Sequence, residues 1–142
     1  MTDLNKKILF ISPMENGSSH DYTLMKKFFN PDIAWFKNIS VFLDLGFYGA
    51  KKDYIFSHNI IMPHKKPKKS KNNPNPLLTD TQKNENKNQS KKRVVVEHAI
   101  GGMKCFHCLA HRIRNHKNNL IDNFAWLSAG LWNFKLCWNN GL

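Results

Sequence analysis

The sequence predicts an α/β fold. Three observations predict it: two short apolar runs rich in β-forming residues, helical character between and after them, and a polar, lysine-rich insertion separating the two halves. The 142 residues suffice for one modest domain with a core, and 41% hydrophobic and 12% aromatic residues make at least part of it globular. The order strand, helix, strand, basic insertion, helix, helix describes an incomplete layer structure.

The first run, "KKILFIS" (Lys6 to Ser12), reads as a strand. "PMENGSSHD" then breaks it. Ser18 followed three residues later by Asp21 has capping-box spacing and opens a helix through "YTLMKKFF", which Pro31 stops. "SVFLDLGF" (Ser40 to Phe47), bounded by Gly46 and Gly49, is the second β-like run. Its continuous hydrophobicity suits a strand buried on both faces. From Met62 the chain turns to Pro, Asn and Lys. Residues 63–92 read as a basic insertion or arm, with room for a short helix near "LLTDTQKNEN". Helical character returns at Arg93 and continues to about Asn115. The segment Asn119 to Trp138 carries three of the four tryptophans and reads as a packed C-terminal helix. Three consecutive valines and Gly101-Gly102 are poor helix formers, so a short strand with a turn stays open for the stretch after Arg93.

Charge sets the class of partner. The formal charge is +12, and 12 of the 22 Lys and Arg residues lie between Lys51 and Arg93, against only Asp53, Asp80 and Glu85. Such a concentration attracts polyanions, either nucleic acid or an anionic membrane surface. No apolar run is long enough to span a bilayer, and the N-terminus does not read as a signal peptide. Three cysteines, scarce and odd in number, fit a reducing cytoplasm.

Four constellations carry candidate chemistry. In "RVVVEHAIGGMK", offsets of 4 and 11 residues fall within about 40° on a helix, so Arg93, Glu97 and Lys104 share a face. A carboxylate between two cations stays ionised, as a metal ligand must, and the cations can meet phosphates. A solvated charged stripe fits the same spacing. Asp44 sits inside "VFLDLGF" with apolar residues on both sides. It is either a carboxylate offering oxygens to a divalent cation at a strand end, or the cap of the Gly46 turn. The run "KKPKKSK", holding Lys65, Lys66, Lys68 and Lys69, suits sequence-independent contact with phosphates, although a solvated loop has the same composition. Aromatic residues barely interleave with it, so base stacking is not suggested there. Cys105, Cys108 and His111, with His107 near, have zinc-like spacing, but no second pair follows.

Taken together, these segments resemble the C-terminal part of a transposase of the IS5 kind, within the DDE superfamily. The carriers are "GSSHDYTL", "FLDLGFYGAKKD", "IMPHKKPKKSKNNPNP", "LTDTQKNENKNQSKKRVVVEHAIGGMK" and "AGLWNFKL", in order from about Lys6 to Lys135. The resemblance implies an RNase H-like mixed sheet with helices. It also implies three carboxylates that hold two Mg²⁺ or Mn²⁺ ions. Asp44 matches the second carboxylate and Glu97 the third. Related transposases carry Tyr, two residues, Arg, three residues, Glu, six residues, Lys; Arg93, Glu97 and Lys104 match, while Ser90 stands at the Tyr position.

The first Asp of the triad belongs on a strand upstream of Lys6. Asp3 has no strand context, and Asp21 matches a different position at a helix start. The expectation is therefore an N-terminally truncated catalytic domain covering residues 1–142, with little or no nuclease activity alone. The implied partner is DNA, both insertion-sequence ends and target. A homo-oligomer or an upstream-frame partner is left open, and no membrane is implied. The alternative is a noncatalytic basic DNA-binding remnant that binds DNA or a full-length transposase.

Overall fold

A computed structural model of the chain describes residues 1–15, 17–71, 73–109 and 119–139. The architecture is mixed α/β. In chain order it runs α1 (Asp21–Phe28), β1 (Val41–Phe42), α2 (Ala50–Asp53), β2 (Ile60–Ile61), α3 (Asp80–Lys104) and α4 (Leu120–Asn139). The chain divides into two compact units, Gly17–Lys91 and Met1–Asn16 with Lys92–Leu142.

In the unit Gly17–Lys91, α1 opens at Asp21. His20 is the cap: its backbone is extended and its Nδ1 accepts from Tyr22 N at 3.2 Å. Ser18 therefore does not cap, and Asp21 is the first helical residue, where its charge suits the positive end of the helix dipole. The helix stops at Phe28, before Pro31, as expected.

The predicted strand Ser40–Phe47 shortens to β1. It pairs in parallel with β2, with Val41 opposite Ile60 and Phe42 opposite Ile61. Leu43 N adds a bond to Ile61 O at 2.9 Å. At Asp44 the chain leaves the sheet and winds into a 3-10 turn, Leu45–Phe47, so the apolar run is only half-buried rather than covered on both faces. Its partner β2 had no signal of its own: two isoleucines are too short a run for a period to register. The core of this unit is Phe36, Ala50, Tyr54, Ile60 and Met62, with Tyr22, Met25 and Phe29 of α1 packed against it. Tyr54 keeps its hydroxyl satisfied there by donating to Phe29 O at 2.6 Å.

In the other unit, Lys6 to Ser12 forms no strand, contrary to the sequence reading. There is one isolated antiparallel bridge, Thr2 to Ile8. The reason is a side chain on α4. Asn133 Oδ1 accepts from Ile8 N at 2.8 Å and its Nδ2 donates to Ile8 O at 2.9 Å, taking both backbone groups a ladder would use. Trp132 Nε1 likewise donates to Lys6 O at 2.9 Å.

The short helix expected near "LLTDTQKNEN" and the helix expected from Arg93 are one element, α3, of 25 residues. Its start is a capping box that the sequence reading passed over: Gln82 N donates to Thr79 Oγ1 at 3.3 Å, and Thr79 N donates to Gln82 Oε1 at 3.1 Å. The valines stay helical. The helix ends at Lys104 rather than about Asn115, and residues 110–115 of that reading lie outside the described residues. Gly102 has a packing role. A Cβ there would meet the Trp132 ring of α4 at 2.3 Å, whereas one on Gly101 would meet nothing within 4 Å. The core of this unit is Ile8, Ala99, Met103 and Ala129. Helix α4 lies where expected but packs along one side only: Ala125, Ser128 and Ala129 are buried, while Trp126, Leu127, Phe134 and Trp138 are exposed. No helix among the described residues is long and apolar enough to cross a membrane.

Candidate functional site

Asp44 is exposed and stands immediately after β1 and Leu43, at the mouth of the 3-10 turn. Its Oδ1 accepts from Leu45 N at 2.7 Å, so the carboxylate caps this turn. Capping and metal binding are compatible in kind, because a carboxylate offers two oxygens and about four lone-pair sites.

The turn behind Asp44 is held by α1. The nearest atom to a Cβ built on Gly46 is Asp21 Oδ2, at 3.9 Å. Gly49 has φ +118°, which favours glycine, and a Cβ there would come within 3.1 Å of the Tyr22 ring. Tyr22 Oη donates to Asp53 Oδ2 at 2.6 Å, and Lys26 Nζ reaches the same oxygen at 3.3 Å. Burial, and then the bond to the Asp53 carboxylate, push the Tyr22 hydroxyl well above its ordinary range. The Tyr22 bond, with Lys26 next, holds the Asp53 carboxyl below its own. No sequence signal paired these groups, since Tyr22 and Asp53 are 31 residues apart.

Glu97 lies on α3 with Arg93 one turn before it. Arg93 Nη2 to Glu97 Oε1 is 3.4 Å, and both side chains are largely exposed. Lys104 ends the same helix and is exposed. The helical spacing expected of Arg93, Glu97 and Lys104 is thus present on one continuous helix. Asp44 belongs to the unit Gly17–Lys91, whereas Arg93, Glu97 and Lys104 belong to the other.

The lysine run lies in the loop between β2 and α3, and Lys65, Lys66, Lys68 and Lys69 are all exposed. The loop is rooted at its start. His64 N donates to Asn86 Oδ1 at 2.7 Å, Asn86 Nδ2 donates to His64 O at 3.1 Å, and His64 Nε2 meets Glu85 Oε2. Both partners are on α3. The next residue, Lys65, places its ammonium 4.8 Å from the centre of the Tyr48 ring.

The donor chemistry of Asp44 and Glu97 suits a hard divalent cation: both are carboxylates and both are exposed. Among the described residues, no group of three or more His, Cys, Asp or Glu gathers to hold a metal ion. Of the residues in the zinc reading, Cys108 Sγ lies 3.1 Å from Ser128 Oγ, Cys105 is exposed, and His111 lies outside the described residues.

Comparison with known proteins adds three findings. The family model described as DDE superfamily endonuclease matches residues 1–133. The chain is 30% identical over 120 residues to a protein of Microchaete diplosiphon described as "Probable transposase for insertion sequence element IS702". That match covers 84% of this chain and 39% of the relative, so the chain spans about two fifths of the relative's length. No solved structure matches the chain.

Proposed function

This chain belongs to the DDE superfamily endonucleases, and we propose from that premise that it forms part of an insertion-sequence transposase of the IS5 type. The family match over residues 1–133 carries the reading. The transposase relative and the order of Asp44 and Glu97 along the chain support it. The fold that goes with this proposal is RNase H-like, and the place of action is the cytoplasm.

Asp44 and Glu97 are the second and third carboxylates of the triad, with oxygens suited to Mg²⁺ or Mn²⁺. When bound, such ions supply activation of a water or 3′-hydroxyl and stabilisation of the leaving oxygen. The chain's own groups do the rest. Arg93 pairs with Glu97 along the helix face, and its guanidinium, with Lys104, meets phosphates. Lys65, Lys66, Lys68 and Lys69 add affinity for the DNA backbone without reading sequence. The Asp44 turn is held in place by Tyr22, whose hydroxyl ties α1 to Asp53 at the end of α2.

Two carboxylates are fewer than a paired-ion centre needs, so the 142-residue polypeptide by itself is expected to cleave little or no DNA. The test is end-labelled duplex DNA incubated with the purified polypeptide and Mg²⁺ or Mn²⁺. Robust cleavage that Asp44→Ala abolishes would contradict the need for a further carboxylate. The lysine run, taken alone, favours a second reading: a noncatalytic chain that binds DNA or a full-length transposase. It requires metal affinity that is indifferent to both Asp44→Asn and Glu97→Gln.

A further inference from the structure

The loop of residues 63–79 contains no Phe, Tyr or Trp. The fold supplies an aromatic ring from elsewhere. Tyr48 lies four residues after Asp44, at the end of the 3-10 turn, and it remains 68% exposed with the Lys65 ammonium lying over its ring.

Both members of this pair are held from behind. Tyr48 N donates to Leu45 O at 3.1 Å, and the next residue, Gly49, takes a φ of +118° against the Tyr22 ring. Lys65 follows His64, whose backbone is bonded twice to Asn86 of α3. The meeting of Lys65 and Tyr48 is therefore set by two fixed backbones. Lys51 and Lys52 on α2 and Lys66, Lys68 and Lys69 in the loop are exposed, so this unit carries a positive surface on both sides of Tyr48 in the sequence.

An exposed aromatic ring among lysines is the elementary site for a nucleotide whose base is not paired. Every base has a face that stacks on an aromatic ring, and every phosphate has a charge that a lysine offsets. A duplex hides its base faces, so the arrangement selects single-stranded or frayed DNA. We infer that Tyr48 and Lys65 form a stacking site for one unpaired nucleotide, the ring face opposite the ammonium taking the base and the ammonium its phosphate. The inference rests on the DNA-binding reading above and deepens it by naming the strand form bound. It places the unpaired nucleotide next to the turn that Asp44 opens.

The test is fluorescence anisotropy with the full 142-residue chain and two probes: a single-stranded oligothymidylate of about ten nucleotides, and an abasic oligomer with the same number of phosphates. The wild type is expected to bind the base-bearing strand more tightly. Tyr48→Ala weakens that strand by about tenfold or more and leaves the abasic strand unchanged. Tyr48→Phe keeps the discrimination, and Lys65→Gln weakens both strands. Thermal unfolding of each variant confirms that the fold is retained, as the exposure of both side chains implies. Equal binding of the two strands by the wild type, or indifference of the base-bearing strand to Tyr48→Ala, overturns the inference and leaves backbone binding intact. Abasic binding that survives replacement of Lys65, Lys66, Lys68 and Lys69 by Gln overturns the lysine reading and this inference with it.

Discussion

At the scale of single residues, Asp44 and Glu97 are both exposed acids. The Arg93–Glu97 pair is solvent-exposed and contributes only about 0.3–0.5 kcal/mol. Asp44 caps a three-residue turn through the Leu45 amide. The Tyr22–Asp53 bond is different in kind, because it ties α1 to the end of α2. Its pH dependence has a definite sign. The Tyr22 hydroxyl titrates above its ordinary 10.0 in the fold, so its contribution is complete below pH 10.0 and is lost as pH rises toward the folded value. Asp53 titrates below its ordinary 3.8, so its contribution holds above that value and is lost as pH falls through the lower folded one. Urea midpoints measured from neutral to alkaline pH are expected to fall more steeply above pH 10.0 for the wild type than for Tyr22→Phe. Parallel curves would show that the bond is not formed in solution.

At the scale of elements, local geometry was legible and distant pairing was not. The Arg93–Glu97 spacing is a property of one helix, so the sequence sufficed to place it. The length of α3 was understated because Thr79 and Gln82 were not read as a capping box, and the valines and glycines suggested a break. The strand expected at Lys6 to Ser12 failed for a reason no local pattern contains: its backbone partner at Ile8 is the side chain of Asn133, 125 residues away. Tyr48 escaped notice in the same way, because only the fold brings it to Lys65. The glycine pair gives a direct test of the packing. Gly102→Ala must displace the Trp132 ring and is expected to cost about 1–3 kcal/mol. Gly101→Ala meets open space and is expected to gain about 0.5–1 kcal/mol from helix propensity. Thermal unfolding of the two variants reads the difference; similar shifts for both would mean that Trp132 does not pack on α3.

At the scale of the whole molecule, a charge of +12 and a DDE endonuclease match both support the proposed DNA partner. Composition alone had left nucleic acid and anionic membranes open, and the family membership favours nucleic acid. Replacing Lys65, Lys66, Lys68 and Lys69 by Gln is expected to make the slope of log affinity against log salt shallower by about three to four for duplex DNA. An unchanged slope would remove the loop from the interface. The central claim, however, concerns the carboxylates. The most direct measurement is Mn²⁺ titration followed by electron paramagnetic resonance, comparing the wild type with Asp44→Asn and Glu97→Gln at equal fold stability. Weak binding by the wild type, lowered at least about tenfold by either substitution, is the expected result. Mn²⁺ affinity unchanged in both variants would contradict it.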